Sequence, residues 1–235
     1  MRILVIRRDN IGDLVCTTPL FTALRKRYPD GHLAALVNSY NVGVLAGNPD
    51  LDAVHAYTKL KHREPGQGAF GLLLDRVQLM GRLRRERFDC VVLAKSEFDH
   101  YGLKTARRLR VSRIVGFAHP QDPVPRALTQ ALPPPANHEL HEVEVLAQLA
   151  AALDARELPG PVRVFPAPER VAEWRSRFPA LGSGERWVAL HISARERIRL
   201  WPVEKFVQLA EVLARQGLGI VLLWAPGAEN DPRHP

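Results

Sequence analysis

Short apolar runs alternate along this chain with longer segments in which apolar residues recur at helical spacing. The longest runs, such as RILVIR and CVVLA, extend for about 5–8 residues and are typical of buried strands. Strands that alternate with helices indicate βαβ units and a mostly parallel sheet, which is an α/β fold. The predicted strands cover residues 2–7, 33–37, 53–57, 90–94, 113–117, 187–192 and 219–224, and the predicted helices cover residues 17–28, 72–87, 138–153, 169–178 and 203–216.

Proline and glycine give the boundaries of these elements. The first helix is predicted to begin at Thr17 and Thr18, because Pro19 then lies in the first turn, where its missing N–H costs nothing. Residues 118–137 contain six prolines and are predicted to be an irregular crossing segment.

A change in composition near residues 155–168 predicts a domain boundary. All four tryptophans follow it, and prolines cluster within it. We therefore expect a domain over residues 1–160 and a second over residues 161–235. The second has only two predicted strands, whereas a parallel sheet usually needs more strands and helices on both faces. It is predicted to be the first part of an incomplete domain.

The positive charge is concentrated in one segment. The chain has 235 residues, 33 Lys and Arg, 25 Asp and Glu and a net charge of +8, and residues 59–113 alone hold 14 basic and 6 acidic residues. Such a segment favours an anionic partner, although a solvated arginine-rich face would look the same. Two cysteines form no disulfide framework and fit a reducing compartment.

Export and membrane-spanning signals are not evident in this pattern. The longest apolar runs fall short of the roughly 20 residues that cross a bilayer. The first residues, MRILVIRRDNIGD, have a short apolar stretch followed by charges, which indicates a buried strand and not a signal peptide. We expect a cytoplasmic protein.

The loop after the first strand is the first candidate for chemistry. In an open α/β sheet this loop faces the ligand crevice, and the next helix N-terminus attracts anions. Gly12 allows close backbone approach or an unusual φ angle, and Asp13 could act as a general base or cap the helix. Neither G-x-G-x-x-G nor G-x-x-x-x-G-K-[ST] is present, so an ordinary dinucleotide or NTPase site is not supported.

Several short motifs in collinear order resemble glycosyltransferase family 9, the ADP-heptose:lipopolysaccharide heptosyltransferases. The N-terminal stretch RRDNIGDLVCTTPLFTALRKRYPDGHLAALV carries the first of them. The later matches are Asn48 to Asp52, Val115-Gly116, His141-Glu142, Leu200-Trp201-Pro202 and the segment WAPGAE at residues 224–229.

The resemblance implies a GT-B architecture, with an acceptor-side Rossmann-like domain followed by a nucleotide-sugar-binding domain. It also implies an inverting, metal-independent transfer of heptose from ADP-heptose, without a cofactor. Asp13 matches the family's proposed catalytic base. Donor binding is expected at Gly12, at Ser193 after a strand, at Arg199 in the family's usual Lys position, and at Glu229 near the ribose. The register of this segment is fixed only to within a residue, and Arg195 or Arg197 could serve instead of Arg199.

The acceptor implied by the resemblance is a phosphorylated inner-core glycolipid. The basic residues expected to meet it are Lys59, Lys61, His62 and Arg63. A basic face could also hold the protein peripherally at the anionic inner-membrane surface. We expect a monomer without a nucleic-acid partner.

Three motifs are interpreted as structural. Residues 138–142 read HELHE, which is not H-E-x-x-H, and Asp50-x-Asp52 follows a turn and imitates the metal-binding D-x-D of other transferases. Cys16 has no neighbouring His to activate it and is expected to be a buried small residue.

The sequence leaves open whether the chain is a fragment, and it leaves two alternatives to the heptosyltransferase interpretation. The family's later Asp-x-Gly-Pro-x-His motif has no counterpart before Pro235, so the chain is expected to be a fragment or a naturally shortened, inactive relative. A non-catalytic module that binds a membrane or nucleic acid through residues 59–113 is a different class of protein. The same transferase class with another nucleotide-sugar or acceptor is the third interpretation.

Overall fold

A computed structural model of the chain resolves two compact units, residues 1–167 and residues 168–235. The division follows Ala167, a few residues after the predicted one. The structure describes residues 1–58, 69–119, 128–135, 140–156, 160–182, 184, 186–194 and 197–224.

The first unit is built on a six-stranded parallel sheet. Its strand order is β3-β2-β1-β4-β5-β6, so the order reverses between β1 and β4. In open α/β sheets ligands bind at the carboxyl ends of the strands beside such a reversal. The strands are β1 (Arg2–Ile6), β2 (His32–Asn38), β3 (Ala53–Tyr57), β4 (Cys90–Leu93), β5 (Arg113–Phe117) and β6 (Gln130–Leu132).

Helices cover both faces of this sheet. Because successive side chains of a strand point to opposite faces, Ile3 and Val5 of β1 join one buried cluster and Leu4 and Ile6 join the other. The first cluster packs under α1 and α4, and the second packs under α2 and α3. These helices are α1 (Ile11–Arg27), α2 (Ala69–Arg85), α3 (His100–Leu109) and α4 (Glu142–Ala152).

The second unit is much smaller. Strands β7 (Trp187–His191) and β8 (Gly219–Leu223) pair in parallel, and α5 (Pro168–Arg177) and α6 (Val203–Arg215) accompany them. Among the described residues of this unit, Leu190 is the one buried apolar side chain, and neither helix contains a buried residue. The unit is an incomplete Rossmann-like domain, as predicted.

The predicted start of the first helix is wrong. Helix α1 begins at Ile11, before the predicted start at Thr17, and Pro19 lies in its interior. A proline cannot donate to the carbonyl four residues earlier, which is that of Val15. The Thr18 hydroxyl donates to this carbonyl at 2.7 Å, so the helix continues through the proline with the acceptor satisfied.

Three elements of the first unit were not predicted, and one of them is the 3-10 helix Ser39–Leu45 after β2. Helix α3 lies within the basic segment, and β6 lies within the proline-rich stretch that was predicted to be irregular. Strand β6 pairs in parallel with β5, and Thr129 next to it both accepts from the Ile114 backbone N–H, at 2.8 Å, and donates to the Ile114 carbonyl, at 3.0 Å. Hydrogen bonds made by a side chain leave no hydrophobic pattern in the sequence, so they give no signal for predicting the strand.

None of the helices in the described part of the chain is long and apolar enough to cross a membrane.

Candidate functional site

Asp13 is the third residue of α1 and lies at the carboxyl edge of the sheet. One of its oxygens, Oδ2, accepts from the Asn10 backbone N–H at 2.9 Å, which caps the helix. The other, Oδ1, lies 3.4 Å from Nη2 of Arg7. The side chain is 35% exposed. A carboxylate has about four lone-pair directions, so two remain for a substrate hydroxyl. Capping and catalysis are therefore compatible at this residue.

Arg7 is the buried centre of the site. It follows β1 and its side chain is only 3% exposed. Its guanidinium lies 3.3 Å from Asp9, 3.4 Å from Asp13 and 2.7 Å from Glu142, and it also donates to the carbonyl of Ala94. A buried guanidinium needs this many acceptors because leaving it unpaired would be very unfavourable. Arg7 therefore fixes the position of the Asp13 carboxylate.

Asp9 is the second carboxylate of the loop. Burial raises its pKa above the ordinary value, against the opposing attraction of Arg7 and Lys95. The nearby negative charges of Asp13 and Asp99 raise it further. The Asp9 carboxyl therefore loses its proton at a higher pH than an ordinary surface carboxyl does.

Buried amides hold the backbone of this loop. Asn38 Nδ2 donates to the carbonyls of Arg8 at 2.6 Å and Asp9 at 3.1 Å. The Asp9 carbonyl also accepts from Asn41 Nδ2 at 3.0 Å and from the Tyr40 hydroxyl at 2.9 Å. Since these donors come from the end of β2 and the turn after it, the loop is tied to the neighbouring strand.

Helix α4 brings the third acid into the cluster. His141 caps it: its Nδ1 accepts from the Val143 N–H at 3.2 Å, and its backbone N–H donates to Glu144 at 2.8 Å. Glu142, the first residue of the helix, thereby reaches Arg7. The His141-Glu142 pair of the sequence motif is thus a cap followed by a ligand of the buried arginine.

Gly12 adopts the conformation of α1, so the alternative of an unusual φ angle is wrong. A Cβ atom at this position would meet no atom within 4 Å. The space beside the first turn of α1 is therefore open.

The other predicted site residues fall in two groups. Ser193 lies just after β7 and is half-buried, and Arg199 is exposed at the end of a 3-10 turn, Arg197–Arg199. Both belong to the second unit. The predictions for Lys59, Lys61, His62, Arg63, Arg195 and Glu229 lie outside the described residues.

Sequence reasoning missed Arg7, Asp9 and Glu142 as members of the site. The available signal was a charged residue that directly continues a buried strand, because an arginine there must find acidic partners. Its most distant partner in the chain, Glu142, could not be found from spacing alone.

The motifs interpreted as structural have structural contacts. Asp50 accepts from the Thr22 hydroxyl at 2.6 Å, and Asp52 lies 2.6 Å from Arg25. Cys16 is a free, half-buried thiol whose pKa is raised by burial and by the charges of Glu142 and Asp13. Within the described ranges, no group of three His, Cys, Asp or Glu side chains could hold a metal ion.

The parallel sheet, the acidic loop after β1 and the second α/β unit define the class: the fold is that of GT-B glycosyltransferases. The chain belongs to glycosyltransferase family 9 (heptosyltransferase), whose model matches residues 76–234. The family proposed from the sequence motifs is confirmed.

Curated relatives and solved structures agree with this family. Lipopolysaccharide heptosyltransferase 3 of Escherichia coli (strain K12) is 24% identical over 221 residues, 93% of this chain and 62% of the relative. The glycosyl transferase family 9 structure from Veillonella parvula DSM 2008 matches with a TM-score of 0.78 and 17% identity, over 94% of this chain and 62% of that one. E. coli heptosyltransferase WaaC with ADP matches with a TM-score of 0.69 and 19% identity, over 97% and 69%. The chain thus spans about three fifths of the length of the curated relatives it matches, as an incomplete second domain would.

Proposed function

We propose that this chain is the acceptor-side domain, with part of the donor-side domain, of an inverting and metal-independent heptosyltransferase. The donor is ADP-heptose and the acceptor is a phosphorylated lipopolysaccharide inner core. The observation that carries the proposal is Asp13, an accessible carboxylate fixed by Arg7 and the Asn10 backbone at the edge where ligands bind. Structures of E. coli heptosyltransferase WaaC with ADP and with ADP-2-deoxy-2-fluoro heptose support the donor.

The proposed reaction is a single displacement. The acceptor oxygen bonds to the anomeric carbon while the bond from that carbon to the pyrophosphate breaks, and ADP leaves with the electron pair. Asp13 takes the proton of the attacking hydroxyl, which is general-base catalysis. Arg199 and Ser193 balance the charge on the departing pyrophosphate, since a guanidinium pairs well with phosphate.

The chain's own residues hold Asp13 ready for this step. Arg7 and the Asn10 backbone each use one oxygen, so the carboxylate cannot rotate away from the open space beside Gly12. Preorganisation of this kind lowers the barrier because no rearrangement is needed during reaction. In this proposal the basic residues 59–63 meet the acceptor phosphates, the protein works as a monomer, and its basic face holds it at the cytoplasmic side of the inner membrane.

The test is an ADP-release assay with ADP-heptose and inner-core acceptor. It uses this chain and, where the coding sequence continues past Pro235, the continued protein. Asp13→Asn should lower kcat by about 100-fold or more while the ADP affinity measured by calorimetry stays unchanged. Arg199→Ala should weaken ADP binding about tenfold.

Two exposed residues elsewhere provide matched controls. Asp75→Asn on α2 and Arg215→Ala on α6 make the same chemical changes and should leave both readouts unchanged. Undiminished turnover by Asp13→Asn would refute the catalytic base. Turnover with a different nucleotide-sugar in place of ADP-heptose would keep the class and replace the donor. Absence of transfer by both proteins, with salt-sensitive binding to anionic vesicles or nucleic acid, would favour the non-catalytic module.

A further inference from the structure

A cavity of about 650 Å³ lies in the first unit, and its lining does not include Arg7, Asp9, Asp13 or Glu142. Side chains of α2 and α3 form its walls, and side chains from β2 and β3 close one side. Its volume is within the range of ligand-binding pockets in proteins. None of its lining residues is used by the proposed transfer.

The inner part of the cavity is apolar. Leu36, Leu79 and Leu83 line it, and each is at most 9% exposed because it belongs to the core under α2 and α3. Met80 lies beside them, and its unbranched side chain can adapt to a flexible ligand. This part suits a hydrocarbon chain.

The rim is cationic. Arg8, Arg76, Lys104 and Arg108 line the cavity, and none of its lining residues, all of them in the described part of the chain, is acidic. Arg8 lies over the ring of Tyr57 at 5.1 Å and over that of Tyr101 at 4.9 Å, so aromatic contacts hold its charge at the mouth. The rim therefore suits an anionic group.

Tyr57 adds a hydrogen-bonding group at the same place. Its hydroxyl accepts from Arg8 Nε at 2.7 Å, and burial raises its pKa to about 12. At neutral pH the phenol keeps its proton, which leaves it able to donate to a phosphate or carboxylate.

We propose that this cavity binds an anionic amphiphile, with one acyl chain between α2 and α3 and its phosphate or carboxylate at the cationic rim. The apolar inner part of the cavity accounts for binding of the acyl chain, and the four cations account for the preference for a negative headgroup. A neutral apolar ligand would leave the rim unused, and a small anion would leave the inner part empty. The site does not depend on the proposed transfer, because it shares no residue with it.

Monomeric lysolipids test the proposal. Lauroyl lysophosphatidylglycerol, kept below its critical micelle concentration, should bind the whole chain saturably in calorimetry. It should bind about tenfold more tightly than lauroyl lysophosphatidylcholine, because a charge-assisted contact of about 1.5 kcal/mol corresponds to a tenfold change. Equal affinities, or no saturable binding of either lipid, would overturn the proposal.

Neighbouring arginines of α3 supply a matched pair of variants. Arg107 and Arg108 are both exposed, but only Arg108 lines the cavity. Arg108→Ala should weaken binding of the anionic lysolipid about tenfold, and Arg107→Ala should change it less than about twofold. Similar losses in the two variants would mean that general surface charge, and not this cavity, binds the lipid.

A second variant adds a negative charge to the wall of the cavity. Val77 lines the cavity and is 62% exposed, so Val77→Asp leaves the core intact. The added carboxylate should weaken binding of the anionic lysolipid more than binding of the zwitterionic one. Equal weakening of both, or of neither, would contradict a cavity that selects by headgroup charge.

Vesicle flotation distinguishes the two sources of such an amphiphile. If Arg108→Ala also releases the protein from phosphatidylglycerol vesicles, the acyl chain in the cavity belongs to a lipid of the bilayer. If flotation is unchanged while lysolipid binding is lost, the amphiphile enters as a single molecule, as an acyl chain of a glycolipid acceptor would. Wild-type protein that binds neither vesicles nor lysolipid would overturn the proposal.

Discussion

Arg7 lies among more negative charge than it can neutralise. Asp9, Asp13 and Glu142 all lie within 3.4 Å of its guanidinium, so three carboxylates meet one cation. Burial, together with the negative charges of Asp13 and Asp99, raises the pKa of Asp9 although Arg7 and Lys95 attract its charged form.

The raised pKa of Asp9 gives a pH-dependent prediction. A carboxyl whose pKa is higher in the folded than in the unfolded protein destabilises the fold once it ionises, that is, as pH rises above its ordinary value near 4. Asp9→Asn removes this ionisation and keeps the shape. The variant should therefore be more stable than the wild type at neutral pH, and the difference should shrink as pH falls towards 4. Urea unfolding at several pH values measures it.

The environment of Asp9 includes several other titrating groups, so a control is needed. Arg7, Lys95, Asp13 and Asp99 all interact with the Asp9 charge, so the part of the stability difference that changes with pH near 4 is the part assigned to Asp9. Asp75→Asn, on the exposed face of α2, should show no such pH-dependent gain. A stability difference for Asp9→Asn that is constant across the pH range would show that the carboxyl is not perturbed.

At the scale of elements, the loop after β1 depends on the end of β2. Asn38 is 1% exposed and donates to two loop carbonyls, at Arg8 and Asp9. Asn38→Ala removes both of these bonds and should cost about 1–3 kcal/mol of unfolding free energy, although the Asp9 carbonyl keeps its bonds from Asn41 and Tyr40. Hydrogen exchange at residues 9–13 should accelerate as the loop loosens. Urea unfolding and exchange mass spectrometry measure the two effects.

A control variant at Ser39, the residue after Asn38, separates this effect from general damage to β2. The Ser39 hydroxyl accepts from the Thr58 hydroxyl at 3.2 Å. Ser39→Ala should cost at most about 1 kcal/mol and leave exchange at residues 9–13 unchanged. If both variants accelerate hydrogen exchange at residues 9–13 equally, the loop is not held specifically by the Asn38 amide.

Hydrophobic periodicity predicted most of the elements, because strands such as β1 are buried on both faces and read as continuous apolar runs. It failed where a side chain replaces a backbone partner, as Thr18 does for the proline in α1 and Thr129 does beside β6. Asp13 could be found from its place after the first strand. The contact of Arg7 with Glu142 joins residues 135 positions apart and depends on tertiary packing.

At the scale of the whole molecule, the two units differ in how much apolar surface they bury. Four strands of the first unit, β1, β2, β4 and β5, contribute buried residues to two core clusters, while the described part of the second unit has one buried apolar residue, Leu190. Trp174, Trp201 and Trp224 of the second unit are each about half exposed. Since burial is the main stabilising contribution, the second unit should open at a lower free energy than the first.

Two helices of similar length allow this difference to be measured within one protein. Helix α4 has 11 residues, four of them buried, and α6 has 13 residues, none of them buried. Propensity alone would favour the longer helix, whereas tertiary packing favours α4. Native-state hydrogen exchange should therefore show amides of α6 exchanging at least about a hundredfold faster than those of α4, an opening difference of about 2.7 kcal/mol. Equal exchange in the two helices would mean that the chain opens as one cooperative unit, and the second unit would then need a source of stability other than its own core.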